Sequence, residues 1–205
     1  MSGMTSEMWD QRYSGREPVW STTPNMWVEQ VASQLPVGTA LDLAAGEGRN
    51  ALWLAELGWD ATAVDFSAVA LERARAWASE RLGDDAGRLT TVVADLAEYQ
   101  PEQAFDLVMV VYLQVPEDLR RPVLRAAASA VAPGGRLLVV AHDSANIADG
   151  HGGPGDPAVC YTAEDVVTDV AGLGLSPLRV ELARRPVATP DGEKVALDAL
   201  ALLAR

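Results

Sequence analysis

The sequence predicts an α/β fold, a doubly wound seven-stranded sheet that is mostly parallel, with helices on both faces and an antiparallel C-terminal hairpin. Three observations carry this. Near-continuous apolar strands alternate with helical periodicity from Ala40 onward, as in parallel sheets covered on both faces. A glycine-rich turn, "GEGRNA", joins the first of these strands to a helix. The chain closes on two apolar-rich runs flanking "TPDG", the pattern of a hairpin.

In order along the chain, helical patterns cover Glu7 to Tyr13 and Asn25 to Gln34. Residues 1–36 form an N-terminal helical segment and residues 37–205 the core of one domain. Strand Ala40 to Ala44 leads through the glycines to a helix at Arg49 to Leu57, and strand Ala61 to Asp65 to a helix at Ala68 to Arg81. Strand Leu89 to Ala94 reaches strand Phe105 to Val111 by a short connection. A helix from Glu117 to Val131 is stopped by "PGG" at Pro133 to Gly135, ahead of the strand "RLLVVA". After a Gly/Pro/Asp-rich stretch, Asp143 to Asp156, Thr162 is the N-cap of a helix whose "TAED" start places an acid at the third helical position. "LRVELARRPVA" and "KVALDALALLA" are the hairpin strands.

With 205 residues, 49% of them apolar, the chain is long enough for one domain with a full core. A formal net charge of -13, from 16 Lys and Arg against 29 Asp and Glu, repels a phosphate backbone, so no nucleic-acid partner is expected. No run approaches the roughly 20 apolar residues of a membrane span. The polar start "MSGMTSEMWDQRY" lacks the basic and apolar parts of a secretory signal, so the expected location is the cytoplasm, away from membranes. Cys160 is the only cysteine and the histidines number two, so no disulfide and no metal site is expected. Oligomeric state stays open between monomer and dimer.

Gly46, Glu47, Gly48, Arg49, Asn50 and Ala51 satisfy G-x-G-x-x-G/A in the strand-to-helix context of a Rossmann-like fold. Glycines there let a ligand approach backbone amides at the positive end of a helix. Asp65 ends the second strand, where a carboxylate accepts from ribose hydroxyls. A dinucleotide and S-adenosylmethionine both fit these features, and a tight turn without ligand is the third reading. The acids separate the ligands. Asp42 and Glu47 oppose a pyrophosphate and suit the ammonium and sulfonium of S-adenosylmethionine. Asp95 follows the third strand, placed to accept from an adenine amino group while the Leu96 backbone meets the ring edge.

Residues 41–48, "LDLAAGEG", resemble the first motif of class I S-adenosylmethionine-dependent methyltransferases, with Ala44 where the first glycine usually stands. An alanine is compatible there if its backbone dihedral is ordinary. "AVDFS", "ADL", "FDLVMVV" and "VAPGGRLLVV" resemble the later motifs in order and spacing. The resemblance implies a Rossmann-like fold, S-adenosyl-L-methionine as cofactor, and a cofactor set of Trp20, Asp42, Ala44, Gly46, Glu47, Gly48, Arg49, Asn50, Asp65, Phe66, Ser67, Asp95, Leu96 and Val111. "MWDQRYSGREPVWSTTPN", "YLQVP" and "AHD" resemble the bacterial tellurite-resistance and thiopurine methyltransferase group, with Gln114 where the related pattern often has histidine. That resemblance implies an N-terminal lid with Trp9, Arg12, Tyr13 and Trp20 facing ligand.

The reaction expected is in-line methyl transfer to a small-molecule acceptor, at sulfur, selenium, tellurium or a related heteroatom. Carbon or oxygen acceptors, a noncatalytic cofactor-binding protein and an NAD(P)-dependent reductase are the rival readings. His142 follows the fifth strand at the ligand edge and is the first candidate base, with Asp143 beside it to orient the ring; the bland reading is a loop hydrogen bond. Tyr112 and Gln114 end the fourth strand and serve either catalysis or capping. Arg12 and Arg49 bind an oxyanion or form surface ion pairs. His151 reads as a solvated loop residue, Cys160 as a small packing residue, and Trp9, Trp20 and Trp27 as core or as cation–π partners of the sulfonium.

Overall fold

The computed structural model describes residues 6–15 and 22–205. Its elements in chain order are α1 (Ser6–Tyr13), α2 (Met26–Ala32), β1 (Thr39–Leu43), α3 (Arg49–Glu56), β2 (Asp60–Asp65), α4 (Ala68–Leu82), β3 (Leu89–Val93), β4 (Phe105–Val111), α5 (Glu117–Ser129), β5 (Val131–His142), α6 (Asn146–Asp149), α7 (Ala163–Asp169), β6 (Ser176–Thr189) and β7 (Gly192–Ala204). The strands make one seven-stranded sheet in the order β3-β2-β1-β4-β5-β7-β6. β1 with β2 and β2 with β3 are parallel, whereas β7 runs antiparallel to β5 and β6. The predicted mixed sheet and its closing hairpin are both present.

The chain divides into two compact units, the first comprising residues up to 100 with 105–107 and the second the remainder. In the first unit, Leu41, Leu43, Ala63 and Val64 of β1 and β2 are buried, as are Leu52 and Leu54 of α3 and Leu71 and Ala74 of α4. Each large apolar side chain so buried contributes about 1.5–3 kcal/mol, which holds the β1–α3 turn between rigid elements. Ser67 caps α4 by accepting from the Ala70 amide at 3.1 Å, and Asn25 caps α2 by accepting from the Trp27 amide at 2.9 Å.

In the second unit, Leu137 to Ala141 of β5 and Ala199 to Ala201 of β7 are buried, and α5 turns Val123, Leu124, Ala127 and Ala128 inward. Arg120 and Arg121 of α5 reach the buried Asp169 of α7 at 2.7 and 2.9 Å, and Arg120 lies 4.5 Å over the Tyr161 ring. Thr162 and Asp165 form the capping box that "TAED" predicts.

Two local expectations are corrected. The fifth strand starts at Val131 and contains the "PGG" that local rules read as a helix stop beyond the end of α5. There the Gly134 amide donates to Arg205 O at 3.0 Å and the Arg205 amide to Gly135 O at 3.2 Å, so a partner distant in sequence extends the strand. The loop from Asp143 also holds the short α6, fixed by Asn146, whose side chain accepts from the Leu197 amide at 2.7 Å and donates to Gly152 O at 2.8 Å. Among the described residues no helix is long and apolar enough to cross a membrane.

Candidate functional site

In the first unit, the β1–α3 turn is built of left-handed backbone: Ala44 at φ 60°, Gly46 at 55° and Gly48 at 75°. The ordinary dihedral on which the compatibility of Ala44 depends is therefore absent; alanine occupies a conformation that costs it about 1–2 kcal/mol. Gly46 donates its amide to Asp65 Oδ2 at 2.8 Å, and Asp65 Oδ1 accepts from the Ser67 amide at 2.9 Å. One carboxylate thus braces both the glycine turn and the start of α4. Burial raises the Asp65 pKa, opposed by these amides. Gly48 serves packing: a Cβ there would stand 2.9 Å from the Ala74 Cβ, so its bareness lets α3 meet α4.

Asp42 lies on β1 beneath this turn. It is 1% exposed, and neither carboxylate oxygen has a hydrogen bond among the described residues. Burial pushes its pKa up to about 7; the Arg49 charge opposes this, Asp65 adds to it, and the Ala51 amide lowers it without reaching hydrogen-bond geometry. A buried carboxylate left without a donor is costly, and a cation would relieve it.

The other acid of the motif is already engaged. Glu47 is buried and ion-paired with Arg73, which also donates to Tyr13 O at 2.8 Å and to Gly15 O. Its charge ties α1 to the cradle, which corrects the reading of Glu47 as a free attraction for a cationic ligand. Asp10 accepts from the Ser67 hydroxyl and gives α1 a second anchor. Tyr13 is buried, with its hydroxyl 2.9 Å from where a Gly46 Cβ would stand, and its ring stacks on Trp9. Arg12 is exposed, its guanidinium 5.0 Å over the Trp9 ring.

Asn50 accepts from the Asn25 amide at 2.9 Å, so it holds α2 to α3. Asp95 is exposed and accepts from the Ala97 amide at 2.9 Å; Phe66, Leu96 and Arg49 are half-buried. Trp20 lies outside the described residues.

In the second unit, His142 ends β5 and Tyr112 follows β4, which closes with the buried Val111. Tyr112 stands at φ 59° and stacks on the His142 ring with centroids 4.8 Å apart. Its hydroxyl donates to Asp198 Oδ2 at 3.1 Å, and Arg185 donates to the same oxygen at 2.7 Å. His142 Nδ1 is buried without a hydrogen bond, 3.7 Å from Asp198 Oδ1. Burial lowers the His142 pKa, Asp198 raises it, and Arg185 lowers it.

Asp143, expected to orient this ring, accepts instead from the Ala145 amide at 2.9 Å; the acid facing His142 is Asp198. Gln114 uses both ends of its amide on backbone, donating to Val159 O at 2.6 Å and accepting from the His142 amide at 2.7 Å. These two bonds fit the capping reading. Cys160 is buried and His151 exposed. Arg73, Arg185 and Asp198 were not singled out from the sequence; the signal for Asp198 is a lone acid inside the apolar run "KVALDALALLA".

A family model described as a methyltransferase domain matches residues 40–135. The 2-heptyl-1-hydroxyquinolin-4(1H)-one methyltransferase of Mycobacteroides abscessus is 28% identical over 160 residues, covering 71% of this chain and 68% of the relative. A solved structure from work on the conversion of a disulfide bond into a thioacetal group during echinomycin biosynthesis matches with TM-score 0.72 at 23% identity, covering 98% of this chain and 92% of that one. TehB from Haemophilus influenzae matches with TM-score 0.71 at 16% identity, covering 98% of this chain and 66% of TehB. At these identities the two structures speak to fold. Further methyltransferase structures of this fold hold S-adenosyl-L-methionine or S-adenosyl-L-homocysteine.

Proposed function

We propose that this chain is a class I S-adenosylmethionine-dependent methyltransferase that methylates a small molecule at a heteroatom of the sulfur, selenium or tellurium kind, a reading supported by the matched methyltransferase domain and by the mycobacterial relative. The observation that carries the cofactor side is Asp42, a buried carboxylate without a hydrogen bond among the described residues, beside a glycine turn that Asp65 holds open. An orphaned acid fits a ligand bearing an ammonium and a sulfonium, and it opposes a pyrophosphate.

When bound, the cofactor supplies a methyl carbon activated by a sulfonium, whose carbon–sulfur bond breaks with the electron pair left on sulfur. In this reading Asp42 faces the cationic end, Asp65 exchanges an amide for ribose hydroxyls, and Asp95 with the Leu96 amide takes the adenine edge. Asn50 and Glu47 support the cradle through Asn25 and Arg73. The N-terminal segment that carries α1 and α2 acts as a lid and residues 37–205 as the core of one methyltransferase domain; the anchors of Asp10 and Arg73 on α1 support this.

Orientation alone supplies up to about 7–11 kcal/mol in well-placed reactions of this kind. A thiol of ordinary pKa, about 8.5, is only a few per cent ionised at neutral pH, so a neighbouring base assists it. His142 is that base.

Oxygen is the second acceptor reading, favoured by the relative named for a 1-hydroxyquinolone. Titration calorimetry tests the cofactor assignment: S-adenosylhomocysteine binds, NAD does not, and Asp65→Ala weakens binding. Binding of NAD alone would overturn it.

A further inference from the structure

We infer that Asp198, paired with Arg185, is the positioning residue that fixes the His142 ring with its Nε2 nitrogen as the proton acceptor. This rests on the methyl-transfer reading above. Asp198 lies in β7, in register with His142 of β5 on one side and Ala183 of β6 on the other, and it is fully buried. A charge buried within a sheet is tolerated only when paired and hydrogen-bonded. Arg185 Nε at 2.7 Å and the Tyr112 hydroxyl at 3.1 Å provide both.

The imidazole has little freedom to turn away. Tyr112 stacks on it at 4.8 Å, and a Cβ on Gly153 would stand 2.6 Å from its Cγ and Cδ2, so only glycine admits the loop this close. The His142 amide is held by Gln114 at 2.7 Å. The buried nitrogen, Nδ1, faces Asp198 Oδ1 at 3.7 Å, and a closure of under an ångström makes that a charge-assisted hydrogen bond. A proton on Nδ1 leaves the lone pair on Nε2.

The charged and titratable groups around the ring are Asp198 from β7, Arg185 from β6 and Tyr112 after β4, while Asp143 is turned to the Ala145 amide. Burial lowers the His142 pKa, Asp198 raises it and Arg185 lowers it in turn, so the imidazole stays neutral and able to accept at neutral pH. As the acceptor is methylated, a lone pair on its X atom forms the bond to carbon while the carbon–sulfur pair stays on sulfur; the X–H pair stays on X as the proton passes to Nε2, from which water removes it afterwards. Asp198 stabilises the imidazolium in between without itself taking the proton.

The test is nitrogen-15 NMR of the imidazole in ligand-free protein, in a His151→Gln background so that one histidine remains. The expected result is the Nδ1–H tautomer in the otherwise unaltered protein. Arg185→Gln raises the His142 midpoint, Asp198→Asn lowers it and shifts the tautomer toward Nε2–H, and Asp143→Asn moves neither. In turnover, Asp198→Asn lowers kcat at least about tenfold with KM little changed, a part of the roughly 10²–10⁴-fold that a general base contributes. An Nε2–H tautomer without the Asp198 substitution overturns the inference even if Asp198→Asn does not fold, as does a midpoint that follows Asp143. Since neither cofactor nor acceptor is present, a failure here is distinct from a failure of S-adenosylhomocysteine to bind.

Discussion

The Cβ that Gly48 lacks would stand 2.9 Å from the Cβ of Ala74, so the start of α3 and the middle of α4 meet through a missing methyl group. Gly48 also stands at φ 75°, where a side chain adds backbone strain. Gly48→Ala is expected to destabilise the protein by about 2–3 kcal/mol in urea unfolding, from overpacking plus strain. Adding Ala74→Gly should recover part of that loss. A double variant no more stable than Gly48→Ala would show that the contact is not the cause.

Ala44 holds a left-handed dihedral at a position where glycine is at ease. Ala44→Gly should stabilise by about 0.5–1 kcal/mol, the relief of strain less the extra entropy of an unfolded glycine. For a chain this long that raises Tm by about 1–4 °C. A fall in Tm would contradict the strained geometry.

Burial pushes the Asp42 pKa in the folded chain up to about 7, from an ordinary 3.8. Between these values the native state holds a proton that the unfolded chain has released. The contribution is therefore full below about pH 4 and is lost as pH rises through 7. Asp42→Asn should flatten that slope and stabilise by about 2–4 kcal/mol at pH 8. A cationic ligand lowers this pKa, so S-adenosylhomocysteine binding at pH 6.5 should release protons, seen as calorimetric enthalpies that vary with buffer ionisation enthalpy. Equal enthalpies in all buffers, or release that persists in Asp42→Asn, would remove Asp42 from the ligand.

Much of this was legible locally. Apolar runs, the "TAED" capping box and the "TPDG" hairpin each depend on neighbours a few residues apart, and each formed as read. The limits of β5 were not legible, because "PGG" is held as strand by Arg205. The site divides the same way. The order of Asp42, Gly46 and Asp65 exposed the cradle, but the partners that decide each role come from distant elements. Arg73 occupies Glu47 from 26 residues away, and Asp198 reaches Tyr112 across 86. Adjacency in sequence points to Asp143 as the partner of His142, whereas adjacent strand residues point to opposite faces and the cross-strand Asp198 faces the ring.

Cys160 is buried, and burial with the charges of Asp156 and Asp143 pushes its thiol pKa up. Its reaction with a disulfide reagent at pH 8 should be slow in native protein and complete after denaturation. Rapid native labelling would show a thiolate and reopen the assignment of Cys160 to packing.

Single turnover with methyl-labelled S-adenosylmethionine tests the central claim most directly, using a panel of thiol, selenol, tellurite, N-hydroxy, phenol and amine acceptors. The account predicts label on a chalcogen acceptor, one S-adenosylhomocysteine formed per methyl transferred, and a rate that falls with His142→Gln. Label confined to oxygen, nitrogen or carbon would contradict the acceptor class, and cofactor binding with every acceptor unchanged would contradict catalysis itself.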